Sequence, residues 1–251
     1  MAIEFQIPET LRGFGNPLEV HPPRAGRTGY FTIGTVFALL SGLTVIGVMN
    51  PPAHNPPPPL VLVSLAGVFL GIAIVCFGVG LYVQSYTLIL FRDAVVRTAG
   101  AATEVFRWSD IAEVYTFLNP LTGNRRVVTR DGRKLEIDAS VKDSKKLGAT
   151  VQQTVFDRLL PDAMKAFDAG ETLTFGPLRL NQGFLHYKDH NVEWRQVEHV
   201  ALPYNAFTRS VQFEVRTAGS LLPWCVVPAQ NIPNVDIFKK LVERKMPFAD
   251  R

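Results

Sequence analysis

The sequence predicts a membrane-anchored α+β protein, in which a two-helix transmembrane hairpin precedes two tandem copies of one β-rich unit. Residues 28–91 contain no Asp, Glu, Lys or Arg, and two long apolar runs, 30–50 and 60–83, lie inside this window. An α-helix rises about 1.5 Å per residue and the bilayer core is roughly 30 Å thick, so either run is long enough to span it. After the window, a series of short strand patterns followed by one helix occurs twice.

The composition limits the classes of function. The chain has 251 residues and a formal net charge of +4, which suits a protein beside anionic headgroups and is too weak and diffuse for nucleic-acid binding. Its two cysteines, Cys76 and Cys225, have no paired spacing. We therefore expect neither a disulfide framework nor a cysteine metal site.

The segment before the first apolar run, residues 1–29, contains four prolines and no hydrophobic periodicity. We expect an irregular N-terminal arm that lies on the membrane or on a partner. The apolar run that follows is too long for the apolar core of a signal peptide, and no A-x-A cleavage site comes after it, so it does not resemble one.

The transmembrane hairpin is predicted over residues 30–84, and residues 51–59 join its two spans. Six of these nine joining residues are proline, which lacks an N–H and fixes φ, so the connection is stiff and non-helical. A connection this short makes the two helices antiparallel neighbours. Both ends of the chain then lie on one side of the membrane.

The charges that flank the spans predict their orientation. The connection carries no Lys or Arg, whereas arginines come before the first span and after the second: Arg12, Arg24, Arg27, Arg92 and Arg97. By the positive-inside rule we expect a multi-pass inner-membrane protein with both termini cytoplasmic. The spans carry no charged side chain, which argues against an ion pathway or a proton relay.

Small residues recur along both spans at helical spacing. They form one stripe on each helix, made of Gly34, Ala38 and Gly42 on the first and Gly67, Gly71 and Gly78 on the second. Such stripes let helix backbones approach closely in lipid. Two interpretations stay open: the stripes pack against each other within the hairpin, or one of them docks a partner helix.

The first β-rich unit is predicted over residues 85–168. Its strand patterns lie at 86–91, 94–98, 103–108, 111–118, 125–129 and 133–137. A helix is expected from Asp143 to about Leu160, because apolar residues recur there at every fourth position. Pro161 is expected to end it.

The second unit, residues 169–251, repeats this order. Its strand patterns lie at 173–180 with a break at Gly176-Pro177, and at 184–187, 192–194, 197–202, 211–216 and 221–227. A final helix is expected from Asn234 to about Lys245. Trp108-x-x-Ile111-x-x-Val114 and Trp194-x-x-Val197-x-x-Val200 have the same spacing at the same place in both series, which indicates two tandem copies.

A strand meander of this kind, with a W-x-x-[IV]-x-x-V segment entering the middle strands and one helix at its end, resembles the bacterial PH-like domain. The resemblance covers roughly residues 85–165 and 171–247. It implies two partly open β-barrels, each closed at one end by its helix, beside a transmembrane hairpin. It implies little about activity, because PH-like folds host lipid, peptide and protein binding.

No residue pattern in the chain points to catalysis or to a cofactor. The sequence contains no P-loop, no GxGxxG after a strand, no GxSxG and no HExxH, and its acidic residues are scattered. His186 and His190 fall on a strand and its turn, where a solvated loop is the simpler interpretation than a metal site. We expect a protein that is not an enzyme and holds no metal, with Trp108 and Trp194 as core anchors.

One hairpin is rich in positive charge. Its basic residues are Arg125, Arg126, Arg130, Arg133 and Lys134. Beside a membrane they would contact anionic lipid or an acidic partner. The alternative is an ordinary solvated hairpin.

These observations together favour a non-enzymatic interaction module. The leading interpretation is an accessory or scaffolding subunit that stabilises a larger membrane complex, with membrane lipids and a membrane protein as partners and no nucleic acid. Oligomer formation is left open. The alternative is a membrane protein that binds or senses anionic lipid headgroups.

Overall fold

A computed structural model describes residues 9–23, 27–49, 58–82, 86–117, 124–205 and 210–248. Its α-helices are α1 (Arg27–Met49), α2 (Pro59–Tyr82), α3 (Ser144–Asp168) and α4 (Val235–Glu243). The chain divides into two compact units. One comprises Met1–His21, Leu88–Arg97 and Thr103–Arg251, and the other comprises Pro22–Thr87 and Thr98–Ala102.

The second of these units is the predicted hairpin. Both apolar runs are helical, and the stretches Gly29–Met49 and Leu60–Gly80 are long and apolar enough to cross a membrane. Only 11% of each stretch is buried, so most of the apolar surface faces outward, unlike the core helix of a water-soluble protein. The prediction for the proline-rich connection falls largely outside the described residues.

Within the described residues the other unit has fifteen strands, and seven of them lie in its first half. They are β1 (Glu19–His21), β2 (Thr87–Leu90), β3 (Ala94–Ala99), β4 (Ala102–Arg107), β5 (Ile111–Thr116), β6 (Arg125–Thr129) and β7 (Lys134–Ile137). A four-stranded sheet has the order β1-β2-β3-β4, and a three-stranded sheet has the order β5-β6-β7. Helix α3 follows them.

The second half contains eight strands. They are β8 (Leu173–Phe175), β9 (Leu178–Leu180), β10 (Phe184–Tyr187), β11 (His190–Glu193), β12 (Val197–Ala201), β13 (Tyr204–Asn205), β14 (Ser210–Thr217) and β15 (Cys225–Pro228). One sheet has the order β11-β10-β9-β8, and in the other β14 lies between β12 and β13 and also pairs with β15. Helix α4 follows. The described sheets are open and do not close into a barrel.

The N-terminal arm, expected to be irregular, contains ordered structure that belongs to the first half. A 3-10 helix spans Glu9–Phe14, and β1 follows it. Leu11 is buried and packs in one apolar cluster with Ile89, Phe91 and Val96. β1 has no local sequence signature, because the strand has three residues and its partner lies beyond the hairpin.

The strand pairs at the start of each half have matching registers. The paired residues are Glu19↔Leu90, Val20↔Ile89 and His21↔Leu88 in the first half, and Leu173↔Leu180, Thr174↔Arg179 and Phe175↔Leu178 in the second. In the second half the two strands are joined by Gly176-Pro177 alone. In the first half the chain between them contains α1 and α2. The apolar hairpin is therefore an insertion in a β-turn.

The two tryptophans are held in the same way in both halves, and Trp108 is buried whereas Trp194 is half-buried against the core of the second half. Each backbone N–H and each indole N–H donates to a main-chain carbonyl oxygen in the connection between two earlier strands. The acceptors are Asp93 and Phe91 for Trp108, and Gly183 and Asn181 for Trp194. The distance along the chain from the first acceptor to the tryptophan is longer by four residues in the first half.

Helix α3 is shared by the two halves. Its first turns bury Leu147, Val151 and Val155 and contact β5 and β7, whereas its last turns pack on the core of the second half. The expectation that Pro161 ends the helix is wrong, because α3 runs on to Asp168. Proline in a helix interior costs about 3 kcal/mol, and the burial of side chains such as Phe167 beyond it offsets that cost.

Candidate functional site and interaction surfaces

The seam between α1 and α2 is built from small residues. Ser41 Oγ donates a buried hydrogen bond to the carbonyl oxygen of Ala66 at 3.0 Å. Gly34 lies against Phe77, and Gly80 lies against Tyr30, each so closely that an added Cβ would lie 3.2 Å from a neighbouring carbon. Small side chains here let the backbones approach each other.

The predicted stripes divide between this seam and the outer surface. Gly34 is buried and Ala38 is half-buried, whereas Gly42, Gly67, Gly71 and Gly78 are exposed. A Cβ built on any of these four exposed glycines meets no described atom within 4 Å. Their role in helix packing stays a prediction, and within the hairpin they leave room for another helix.

The buried seam follows a seven-residue spacing that the four-residue search missed. Its buried members are Gly34 and Ser41 on α1, and Ala66, Ala73 and Gly80 on α2. A seven-residue period keeps one line of residues facing a partner helix that crosses at a small angle. Searching the sequence for small residues at this period would have found Ala66, Ala73 and Gly80.

The basic hairpin does not present its charges on one face. Arg125 and Arg126 are consecutive in β6, so their side chains point to opposite faces of the sheet. Arg125 Nε donates to Gln152 Oε1 at 2.7 Å, towards α3, and its partial burial lowers the pKa of the guanidinium. Arg126 pairs with Glu136 at 2.5 Å on the other face.

The third arginine, Arg133, is exposed but bonded to groups beside it. Arg133 Nε pairs with Asp131 Oδ2 at 2.7 Å, and a terminal nitrogen of Arg133 donates to the Val105 carbonyl at 2.9 Å. Hydrogen bonds from Thr129 and Arg133 lower the pKa of Asp131 to about 2. Among the described residues, Arg130 and Lys134 are exposed and form no ion pair. The predicted lipid or acidic-partner contact stays a prediction, and these two are the cations available for it.

Asn234 joins the second half to the edge of β5 in the first. Its backbone N–H donates to the Val114 carbonyl at 2.8 Å, its Oδ1 accepts from the Val114 N–H at 2.9 Å, and its Nδ2 donates to the Ala112 carbonyl at 2.9 Å. Asn234 adopts the left-handed conformation, with φ 50°, directly before α4. This residue therefore satisfies an open strand edge as an extra strand would.

A small polar cluster lies beside this junction. Gln152 on α3 accepts from Arg125 and Thr116 and donates to Asp236 at the start of α4. The members bond one another across the two halves, which is the arrangement of a structural junction. Within the described residues there is no group of three or more His, Cys, Asp or Glu side chains suited to a metal.

The loop between β14 and β15 exposes two consecutive leucines. Leu221 is 94% exposed and Leu222 is 75% exposed. The expectation of a strand over 221–227 is wrong at its start, since β15 begins at Cys225 and Pro223 removes a donor that pairing would need. The Leu-Leu pair between two turn signals, Gly219 and Pro223, is the feature that the sequence reading missed.

Side chains suited to a water–membrane interface flank this tip. Trp224 packs edge-on against Tyr187 with ring centroids 6.4 Å apart, and Lys188 Nζ lies 5.1 Å from the same Tyr187 ring. Lys188 has φ 53° in the adjoining turn. The turn after β10 and the loop before β15 therefore form one surface.

Comparison with known protein families gives a match over nearly the whole chain. The model of the DUF6585 family, described as a family of unknown function, matches residues 6–247. The matched range includes the hairpin and both halves. No curated protein matches the chain.

Proposed function

The chain belongs to the DUF6585 family, and we propose that it is a non-enzymatic, membrane-anchored interaction module. The concrete form of the proposal is an accessory or scaffolding subunit that stabilises a larger membrane protein complex in a bacterial inner membrane. The observation that carries it is the insertion of an apolar helical hairpin into a β-turn of the other unit. β1 precedes the hairpin and β2 follows it, and these two strands are hydrogen-bonded to each other.

The pairing of β1 with β2 supports a definite topology for the anchor. These strands lie on either side of the hairpin in sequence and are hydrogen-bonded to each other. A chain that crossed the membrane once between them would separate them, so an even number of crossings fits. Together with the flanking arginines, this favours two spans with both termini in the cytoplasm.

We further propose that the two halves are PH-like copies. The matching strand registers, the equivalent tryptophan hydrogen bonds and the helix that ends each half support this interpretation. A PH-like core commonly serves as a binding scaffold, and holding it at a membrane raises its effective concentration there. Weak contacts with a partner are then sufficient.

The outward glycines of α2 are the surface that this subunit would offer to a partner helix. A small, uncharged face is suited to close helix contact in lipid. The test is gentle detergent extraction of the tagged full chain from its own membrane, followed by native gel electrophoresis and mass spectrometry. We expect a stoichiometric assembly much larger than the monomer.

Two variants sharpen this test. Gly67→Leu combined with Gly71→Leu fills the outward face and is expected to shift the protein to smaller species. Leu65→Phe adds bulk to a different exposed face of the same helix and is expected to leave the assembly intact. Migration of the unaltered chain as a free monomer in mild detergent would contradict the proposal.

Binding of anionic headgroups is the second candidate function, and the exposed side chains of Arg130 and Lys134 favour it. Exchanging both for Ala should lower the preference of the reconstituted chain for anionic vesicles, and the effect should fade with salt because such contacts are screened. Exchanging Arg126, which pairs with Glu136, is the matched control. An unchanged preference in the double variant would count against headgroup binding.

A further inference from the structure

We propose that the Leu221-Leu222 tip inserts into the membrane surface and forms a second contact between this chain and the bilayer. The proposal rests on the membrane anchoring proposed above and adds a site to it. Among the described residues of the larger unit, three of the five exposed large apolar side chains are Leu221, Leu222 and Val226. Apolar exposure is thus concentrated at and beside this loop.

The tip is held in shape before any contact is made. Ser220 Oγ donates to the Leu222 carbonyl at 2.7 Å, and the Trp224 N–H donates to the Val215 carbonyl at 2.7 Å. The Ala218 N–H donates to the Gln196 carbonyl at 3.0 Å. Insertion of a loop that is already ordered loses little conformational entropy, so a small apolar area is sufficient to hold it in lipid.

The chemistry around the tip selects a membrane over a protein groove. Residues 215–228 contain no Asp or Glu, and in the adjoining turn Lys188 is followed by one exposed carboxylate, Asp189. Trp224 comes two residues after Leu222 and packs on Tyr187, and both rings are of the kind that suits the headgroup level. Lys188, over the Tyr187 ring, adds a cation to the same surface. Two exposed leucines, an amphipathic ring pair and a cation are the groups that a membrane interface accommodates together.

The test places a fluorophore at the tip of the full chain. Leu221→Cys is made in a Cys76→Ala background and labelled with an environment-sensitive dye, and the protein is reconstituted into phosphatidylcholine vesicles that contain nitroxide lipids. Native Cys225 does not compete for the label, because it is buried and its burial raises the pKa of its thiol to about 12. Resistance to alkaline extraction reports separately that the hairpin is in the bilayer.

We expect a blue-shifted emission and quenching of about twofold or more by nitroxides near the headgroup, since interfacial apolar groups lie about 5–10 Å deep. The control is a label at Glu171→Cys, an exposed residue between α3 and β8 to which neither proposed function assigns a role. It should stay unquenched. Adding Leu222→Asp to the Leu221→Cys chain should abolish most of the quenching without unfolding it, because Leu222 is exposed.

Three results would overturn the inference. The first is an unquenched label at position 221 in chains that resist extraction, which would leave the anchoring intact and remove the tip contact. The second is a blue shift without lipid quenching, which would assign the tip to a second copy of the chain. The third is quenching confined to anionic vesicles and lost in high salt, which would show a charge contact and not apolar insertion.

Discussion

The two halves of the larger unit begin with the same strand pair and differ in what joins the strands. In the second half Gly176-Pro177 makes the turn, and Gly176 has φ 59° and lies so close to the Asn231 carbonyl that a Cβ would clash. In the first half the same position carries α1 and α2. The comparison teaches that a whole apolar helical hairpin can stand in place of a two-residue turn between paired strands, because the connection only has to bring its two ends close together.

The most direct test of this comparison is to give the first half the two-residue turn of the second half. Replacing residues 22–87 by Gly-Pro should let β1 and β2 close as β8 and β9 do, and the protein should move from the membrane fraction to the soluble fraction. Sedimentation and cooperative thermal unfolding measure the outcome. A chain that lacks residues 1–87 altogether is the control, and it should be less stable because it also lacks β1 and Leu11. Equal stability of the two would show that the arm contributes nothing.

The next prediction concerns the helical segments that precede β1 and β8. Each contributes a buried apolar side chain: Leu11, in the 3-10 helix before β1, is 1% exposed, and Phe167, at the end of α3 before β8, is fully buried. Leu11→Ala should lower the free energy of unfolding by about 2–5 kcal/mol, since it removes buried methyl groups and leaves a cavity. Leu18→Ala, at a residue that is 63% exposed, should change it by less than about 0.5 kcal/mol. Urea denaturation of both variants measures the free energy of unfolding. An unchanged value in Leu11→Ala would show that the arm is not part of the core.

A smaller effect is expected at the residues that directly precede α3 and α4, which share a backbone conformation but differ in their side-chain hydrogen bonds. Asp143 and Asn234 both precede a helix with a positive φ, of 55° and 50°. Asn234→Gly keeps that conformation but loses the two side-chain bonds to β5, so it should destabilise the protein by about 1–3 kcal/mol. Asp143 caps α3 without a side-chain bond, so Asp143→Gly should be neutral within about 0.5 kcal/mol or slightly stabilising. Equal effects in the same unfolding experiment would contradict the assignment of Asn234 as an edge cap.

The smallest expected effect is a dependence on pH at β1. Glu19 pairs with Lys146 Nζ at 2.6 Å, and this hydrogen bond lowers the pKa of Glu19 from its ordinary value of 4.5. A carboxylate with a lowered folded-state pKa contributes stability above pH 4.5, and the contribution is lost as the pH falls through the folded-state value. Glu19→Gln should therefore flatten the loss of stability on acidification below that pH. Parallel acid titrations of the two proteins measure it, with Glu171→Gln as the control, because Glu171 is exposed and forms no ion pair with a described residue.

The elements that were predictable are those with strong local patterns. The charge-free window predicted α1 and α2, and period-two alternation with turn residues predicted most strands, including β10 at its observed bounds. Asp143 and Asn234 were correctly placed at helix starts. These features depend on neighbours in sequence, which is the information that one chain contains.

The missed features depend on distant residues. β1 needs a partner on the far side of the hairpin, and α3 continues through Pro161 because the second half covers its last turns. The division of Arg125 and Arg126 between two faces was within reach, because consecutive residues of a strand always point to opposite sides. Reading positive charge along the sequence, and not across the sheet, led to the expectation of one basic surface.

The insertion sets an order of events during synthesis. The ribosome makes β1 before the hairpin and β2 after it, so the first sheet cannot form until both apolar helices have left the exit tunnel. In a chain anchored as proposed, β1 and β2 meet only if both helices have been inserted as a pair. A chain with one failed span keeps Leu11, Ile89 and Phe91 exposed. In such a chain, folding of the first half would therefore report that both helices have been inserted.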